Sequence, residues 1–577
     1  MEEIKMDIVL ESKNEVQNYN KNTTSERKME LDDGESTTLK PKFETFDDML
    51  SCVGDFGRYQ WWIMLSLIPY TAAYAVLYFA QFFLTLIPQE HWCKIDELKN
   101  FSVEERILAG IPRTDHYPYY DTCRQKDLNF SELLKITNNF HSPLWSTNET
   151  VTCSGWEYNL TQIPYASIGA ELDWVCDRAY LVSTAQALFF CGSILGGFLF
   201  GWFADHKGRI PAVVCCNIVA LAATIASANT SHFWSFALCR FFSGFAFDNV
   251  INIPLIVVME YVAVKRRTIV VNLAFGVYFA IASTALPWVA YYLANWRYFA
   301  YFTALPFLTA LVTPWILPES ARWYISTGKT DAVVKKLRKI AKVNGKNPNP
   351  AVFEAFSMNA KAAYKQKETA TLLDLFKTPR LAKNTILLVL FWTLTVIAFD
   401  GHVYSLKLLQ GSVFVSFSLA CATELPAGFL LTMVLDRWGR RFCGFITMAL
   451  TMLFSYAELI LEAGLIRNKG PPLTKLSGGS STVENKWARY NALVSMVGVT
   501  ETGQNASWAS PVWLAILWTG MPMLIIGTVS LITAVLVLFL PESLGRHLPQ
   551  TLEQGEHFGK EQKFWSLPCF GNEAIKY

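Results

Sequence analysis

The sequence is 577 residues long, 52% hydrophobic and only 17% charged, with 19 Trp, 23 Tyr and 40 Phe and a mean hydropathy of +0.24. That is too apolar for a soluble multidomain chain and far from disordered composition, so a membrane protein is the class that fits. Fifty Lys/Arg against 48 Asp/Glu leave a net charge of +2, which excludes a nucleic-acid binder held by a global positive field.

Residues 1–58 are polar and charged and carry no basic n-region, short apolar core and small-residue cleavage site, so the first hydrophobic segment is expected to direct insertion itself. A membrane helix takes about 20 mostly apolar residues. Ten stretches qualify, at 61–87, 179–203, 210–228, 233–259, 268–293, 298–317, 385–406, 412–435, 442–461 and 511–540. His206, Lys207 and Arg209 follow the second, Lys265, Arg266 and Arg267 the fourth, and Arg437, Arg440 and Arg441 the eighth. The 319–383 stretch after the sixth holds 14 Lys/Arg against 5 Asp/Glu. Basic residues collect on the cytoplasmic side, which places that side and both termini in the cytoplasm. Within 319–383, Lys335, Lys336, Arg338 and Lys339 alternate with Val333, Val334, Leu337 and Ile340. The pattern predicts an amphipathic helix at the membrane surface over 331–343.

On the opposite face, residues 88–178 form one large loop with 14 Asp/Glu against 8 Lys/Arg. Cys93, Cys123, Cys153 and Cys176 lie in or at the end of it, an even number in an oxidising compartment, and predict two disulfides with three pairings open. Sequons at Asn100, Asn129, Asn148 and Asn159 fall in the same loop and predict glycosylation there.

Two cytoplasmic turns echo each other. One runs from Gly201 through Asp205, His206 and Gly208 to Arg209, and the other reads Asp436-Arg437-Trp438-Gly439-Arg440-Arg441. Each puts an acid at a helix end, then a tight turn and a basic cluster, six spans apart, as an internal repeat of six-span halves leaves behind.

These turns resemble the signature loops of the major facilitator superfamily. Leu172-Asp173-Trp174-Val175-Cys176-Asp177, Pro318-Glu319-Ser320-Ala321-Arg322-Trp323, Leu540-Pro541-Glu542-Ser543 and Leu548-Pro549-Gln550-Thr551-Leu552-Glu553, with the cysteine-bearing first outer loop, narrow the resemblance to its organic cation, carnitine and organic anion transporter family. It runs from about Phe46 to Gly555. The implied fold is an all-α polytopic membrane protein of major facilitator type, with two helix bundles rocking around a central cavity. The resemblance divides the chain into a tail (1–58), a first bundle (59–318) including the outer loop, a linker (319–383), a second bundle (384–540) and a second tail (541–577). The family has twelve spans where ten are evident here. Between Leu461 and Pro511 the chain reads Arg467-Asn468-Lys469-Gly470-Pro471-Pro472 and a Gly/Ser stretch, where the tenth and eleventh family helices are expected. That pair includes a helix that contributes a cavity acid in cation-transporting members.

An ionisable group in hydrocarbon costs roughly 2.5–3.5 kcal/mol on insertion scales and usually marks a substrate or ion path. Asp248, Asp400 and Glu424 lie well inside the fourth, seventh and eighth stretches, and Arg240 is the basic residue at comparable depth. The balance is acidic and favours a cation or zwitterion over an anion. Glu424 matches, by resemblance, the acidic cavity residue of cation transporters, with a helix–helix hydrogen bond beside Pro426 as its alternative. Asp248 falls where several members carry a basic residue, and Asp400 reads equally as a helix end before Gly401.

Aromatic rings supply the other half of cation recognition. Tyr74 and Tyr78 are one turn apart in the first stretch, and Trp392 and Phe399 nearly share a face of the seventh. The resemblance places them near cavity-lining positions, and lipid-facing or packing roles are their alternative. Gln186 resembles the family's second-span glutamine, a hydrogen-bond partner for substrate. Gly192, Gly196, Gly197 and Gly201 follow it at the spacing that lets helices approach closely. Glu260, ending the fourth stretch, is expected to tie to cytoplasmic basic loops.

Gly328-Lys329-Thr330 is no phosphate loop, because the required first glycine is Trp323. The eight His show no ligand spacing, so no metal, cofactor or enzymatic chemistry is expected. The reading is a plasma-membrane transporter of small organic cations or zwitterions, working in the lipid bilayer by alternating access, with no nucleic-acid partner and sodium or proton coupling open. Its rivals are an organic-anion or carnitine-type transporter, for which Arg240 must face the cavity, and a non-transporting regulatory or receptor-like protein with an incomplete second half.

Overall fold

The computed structural model describes residues 46–468 and 521–562, apart from positions 55, 89, 115–117, 138–139, 162, 264–265, 366–371, 406–411, 544–551 and 561. The expected helix gap at 462–510 and the first part of the last stretch, 511–520, lie outside the described residues save for 462–468, which continue the ninth helix. So do Lys265 and the Leu548-Pro549-Gln550-Thr551 motif. The chain divides into two compact units, Met1–Trp62 with Glu260–Arg266 and Ser320–Thr369, and Ile63–Met259 with Arg267–Glu319 and Ala370–Tyr577.

In the first unit, Phe46, Met49, Leu50 and Val53 line one face of the helix Phe46–Val53. That face packs against Thr330–Val343, whose Val333, Leu337 and Ile340 are buried. The basic helix expected at the membrane surface therefore has its apolar stripe covered by protein, because a complementary stripe exists at 46–53. Asn344, just past the helix end, ties the pair together. Its amide donates to the Val53 carbonyl at 3.1 Å and to Gln60 Oε1 at 3.0 Å, and its Oδ1 accepts from the Tyr59 N–H at 3.0 Å.

The second unit holds the hydrophobic helices. Eight are long and apolar enough to cross a membrane: Arg58–Leu84, Cys176–Lys207, Arg209–Ala228, Phe233–Glu260, Arg267–Leu293, Pro379–Val403, Val413–Trp438 and Arg440–Leu461, with the first beginning in the smaller unit. The last stretch appears as Met521–Leu538. The sixth is not one rod. It breaks into Trp296–Ala304, a 3₁₀ turn over Leu305–Leu311 and Thr313–Ile316. Pro306 and Pro314 begin the second and third pieces, since each lacks the N–H that an uninterrupted helix needs. The eighth divides likewise into Val413–Ala422 and Glu424–Trp438 beside Pro426. In the fifth span, a π turn over Ala274–Phe279 interrupts the helix.

The outer loop is a small folded module. Strand β1 (His91–Cys93) pairs antiparallel with β4 (Trp156–Tyr158), and β2 (Arg124–Lys126) with β3 (Thr150–Thr152). Trp92, Leu98, Ile111, Phe130, Phe140 and Trp145 form its core. The structure pairs Cys93 with Cys153 and Cys123 with Cys176, with Cα atoms 5.3 and 5.6 Å apart. Lys126 Nζ donates to the carbonyls of Leu108, Ala109 and Trp145 at 2.8–3.1 Å, and desolvation together with nearby Arg113 lowers its pKa. Asn100, Asn129 and Asn148 are exposed. Asn159 is half-buried, and its amide donates to Glu90 at 2.5 Å. Near the end of the same loop, Glu171 accepts from both terminal Arg297 guanidinium nitrogens at 2.7 Å, which hold its carboxyl below the usual range.

Glycines set how closely spans two and four approach. A Cβ on Gly192 would lie 2.0 Å from the Phe241 carbonyl oxygen, on Gly196 1.7 Å from that of Phe245, and on Gly244 1.9 Å from that of Phe189. Gly197 and Gly201, on the other side of span two, have nothing within 4 Å. Gly196→Ala should therefore force the helices apart and cost more than about 2 kcal/mol. Gly197→Ala should be neutral or stabilise by up to about 1 kcal/mol through helix propensity. Thermal unfolding of the two purified variants checks this, and equal melting temperatures contradict it.

Candidate functional site

The two echoing turns have matching chemistry. Gly208 and Gly439 sit at φ +110° and +86°, in the region that disfavours a Cβ, and each joins one span to the next. Asp205 accepts from the Arg209 guanidinium at 2.5 Å, and Arg440 lies 3.8 Å from Asp436. The exposed N–H groups that begin the following helix are capped from a distance. Glu319 accepts the backbone N–H groups of Arg209 and Ile210 at 2.8 and 3.1 Å, and Glu542 accepts those of Arg440 and Arg441 at 3.1 and 2.9 Å. A carboxylate is the best partner for a helix N-terminus, where orphan donors and the positive dipole end coincide. The Pro-Glu-Ser repeat was the signal for this role, though the sequence does not say which helices the acids reach. Arg437 continues the second turn. Glu260 accepts from the Ser320 hydroxyl at 2.5 Å and the Arg322 N–H at 3.3 Å.

Deeper in the bundle, aromatic rings converge. Tyr74 stacks on Phe247 with centroids 4.7 Å apart and touches Phe275 and Phe279. Tyr78 stacks on Phe247 at 5.5 Å and on Phe399 at 6.4 Å, and its hydroxyl donates to Asp400. Phe189 joins from span two, 5.1 Å from Phe247, and carries the Arg240 guanidinium 4.7 Å above its ring. Spans one, two, four, five and seven thus contribute to one cluster. Phe247 is its hub, and the sequence did not single it out because one ring among 40 Phe carries no mark.

The three acids expected inside the spans are all buried. Asp248 is 5% exposed and accepts from Ser193 at 2.6 Å, a partner seven residues, two turns, beyond Gln186 on the same helix face. Asp400 is 3% exposed. Glu424, at the break of span eight, is 5% exposed, and among the described residues its side chain makes no hydrogen bond or ion pair. Trp392 contacts the ring of Phe391 and joins no other ring of the cluster among the described residues. Gln186 Oε1 is buried without a hydrogen-bond partner.

Spans five and eight meet along a seam. Asn272 donates to Thr432 at 2.9 Å, Thr268 to Asp436 at 3.3 Å, and Ser418 to the Thr284 carbonyl at 3.0 Å. Between them Gly276 and Gly428 press backbone to backbone, where a Cβ on Gly428 would lie 2.8 Å from the Gly276 Cα. Glu319→Ala and Glu542→Ala should each cost about 1–2 kcal/mol through lost capping, with Glu319→Gln falling between Glu319→Ala and the parent. Thermal unfolding reads this directly, and an unchanged midpoint in both alanine variants contradicts the capping assignment.

Residues 151–464 match the Major Facilitator Superfamily model. The chain is 28% identical over 552 residues to the carcinine transporter of Drosophila melanogaster, covering 90% of this chain and 80% of that one. It is 30% identical over 543 residues to organic cation transporter 1 of Caenorhabditis elegans, covering 89% of each. Against solute carrier family 22 member 3 of Rattus norvegicus it is 27% identical over 550 residues, covering 90% and 97%. Among solved structures, the proton:xylose symporter XylE bound to 6-bromo-6-deoxy-D-glucose shares the fold, with a TM-score of 0.53 and 16% identity over 86% of this chain and 98% of that one. The chain belongs to the major facilitator superfamily, within its organic cation, carnitine and organic anion transporter family.

Proposed function

We propose that this protein carries small organic cations or zwitterions across the plasma membrane by alternating access between two pseudo-repeated halves, 59–318 and 384–540. The observation that carries the reading is the aromatic cluster of Tyr74, Tyr78, Phe247 and Phe399 closed against the buried carboxylate of Asp400. A desolvated ammonium over such rings gains roughly 0.5–2 kcal/mol, and an acid buried in a membrane span commonly marks a substrate or ion path. Glu424 supports the same reading from span eight, since its carboxylate is buried with no cation beside it among the described residues. Relatives of this chain are named as carcinine, beta-alanine and organic cation transporters, which fits that chemistry.

In this reading Asp248, Asp400 and Glu424 supply charge, Tyr74, Tyr78 and Phe399 the walls, and Trp392 and Gln186 further contacts as the cavity opens. The turns at Asp205 and Asp436, with their capping acids, hold the cytoplasmic ends of the helices as rigid units while the halves rock. Both termini face the cytoplasm, in keeping with the basic 319–383 stretch. The outer module, with its paired cysteines and exposed Asn100, Asn129 and Asn148, faces outside. No cofactor is required. A monovalent cation moving down about 60 mV gains about 1.4 kcal/mol, enough for about tenfold accumulation.

Uptake of radiolabelled tetraethylammonium, carcinine, β-alanine, carnitine and an organic anion into expressing cells tests this, with surface expression measured in parallel. The expected result is uptake of a cation or zwitterion that falls when the membrane is depolarised. Glu424→Gln and Asp400→Asn should each reduce that uptake at least about tenfold at equal surface level, the magnitude of one lost buried charge interaction. Surface-expressed protein that moves only the anion, or nothing, overturns the proposal.

A further inference from the structure

Three polar side chains outside the acid cluster share one layer just above the aromatic hub. Gln81 is 3% exposed, and both its Nε2 and Oε1 are buried with no hydrogen-bond partner among the described residues. Ser243 is fully buried, and its hydroxyl is likewise unpartnered. Gln186 Oε1 is the third such atom. Helix geometry brings them together. Gln81 lies one turn beyond Tyr78 and two beyond Tyr74 on the same face of span one, Ser243 one turn before Phe247 in span four, and Gln186 one turn before Phe189 in span two. Tyr74, Tyr78 and Phe189 all meet Phe247, at 4.7, 5.5 and 5.1 Å. Span one runs antiparallel to spans two and four, so the three steps all point toward the outer face.

Each unpartnered group carries a cost, and Gln81 carries it at both ends of its amide. A buried polar atom without a partner costs about 1–3 kcal/mol, and hydrocarbon offers no alternative. Membrane-buried hydroxyls normally bond back to the carbonyl of the preceding turn. Ser283 does so with Phe279 at 2.8 Å, Ser455 with Thr451 at 2.8 Å and Thr71 with Leu67 at 2.9 Å, whereas Ser243, like Thr224 and Ser530, does not, and of these Ser243 is the one a turn from Phe247. One turn before Ser243, the Arg240 guanidinium lies over the Phe189 ring at 4.7 Å.

We infer that Gln81, Ser243 and Gln186 form a carboxylate-reading layer, and that the substrate is a short ω-amino carboxylate whose ammonium sits on the Tyr74, Tyr78 and Phe247 rings toward Asp400. The layer lies one helical turn, about 5 Å, outward of the rings. Two or three methylenes separate an ammonium from a carboxylate by a similar span, on the order of 5 Å from standard bond lengths. The Gln81 amide and Ser243 hydroxyl donate to the carboxylate, while Gln81 Oε1 remains free to accept from the ammonium or from water. A neutral donor set fits this cargo better than a second fixed cation, because it does not repel the amine end. This rests on the transport reading above, which it narrows from small organic cations or zwitterions to short ω-amino carboxylates.

The test compares β-alanine with n-propylamine, which keeps the ammonium and chain length and lacks the carboxylate. Full-length protein is purified for binding by thermal shift and reconstituted into liposomes for uptake under an imposed potential. Gln81→Leu should weaken β-alanine binding about tenfold and n-propylamine binding less than about twofold. Ser243→Ala should shift β-alanine in the same direction by a smaller factor. Gln81→Glu should reverse the preference, losing β-alanine and keeping n-propylamine, which separates recognition from a folding defect. Equal weakening of both compounds, no weakening of either, or a wild-type protein that does not bind β-alanine overturns the inference. Intact selective binding without potential-driven uptake overturns the transport reading and leaves the layer in place.

Discussion

Hydrocarbon has no hydrogen bonds to offer, and this constraint organises the membrane part of the chain. Where a proline removes a donor, the helix must break or find another partner, and spans six and eight break beside Pro306, Pro314 and Pro426. Two of the buried acids are answered from another span. Ser193 of span two reaches Asp248 of span four, and Tyr78 of span one reaches Asp400 of span seven. These answers fix which helices are neighbours, so polar pairing and helix order are two aspects of one requirement.

At the cytoplasmic ends the same requirement is met differently. A span that follows a one-residue turn, at Gly208 or Gly439, begins with orphan N–H groups at the membrane edge. Glu319 and Glu542 arrive from chain segments 110 and 102 residues away to accept them. The acids stand after Pro318 and Pro541, and each is followed by a serine. Repetition of residue, partner and geometry across the two halves is stronger support for an internal repeat than either motif alone, since a chance basic loop needs no remote carboxylate.

Run length and charge made the spans legible in the sequence, because bilayer thickness translates directly into a count of apolar residues. The order of acid, glycine and base made the repeat legible, since the positive φ at Gly208 and Gly439 demands that residue at that place. What stayed hidden depends on crossing geometry. The contacts of Gly192, Gly196 and Gly244 set the offset between spans two and four, and that offset determines that Ser193 meets Asp248. No periodicity within one helix encodes it. The disulfide pairing was closed for the same reason, as four cysteines in one loop leave the choice to the fold around Trp92, Phe140 and Trp145. Apolar counting also treats Pro306 and Pro314 as members of a run, and so misses the break in span six.

The seam between spans five and eight bears on how two halves can move against each other. Its closest point is the bare backbone contact of Gly276 with Gly428, flanked by single hydrogen bonds from Asn272, Thr268 and Ser418. Interdigitated large side chains lock helices in one register, whereas two glycine faces present smooth surfaces that slide or pivot without first unpacking. The π turn at Ala274–Phe279 surrounds this point and loosens the helix where a bend is easiest. On the outer side, Phe79, Phe82 and Phe83 of span one close on Phe417 of span eight at 5.0 Å each. A smooth pivot with an aromatic closure on one side is the arrangement that rocking needs, because the rings separate as a group while the glycine contact persists. The buried acids Asp400 and Glu424 stand on the second half and the rings of Tyr74, Tyr78 and Phe247 on the first. Separation of the halves therefore parts those two acids from those three rings, and on the proposed reading an ammonium held by both would favour the state in which they are joined.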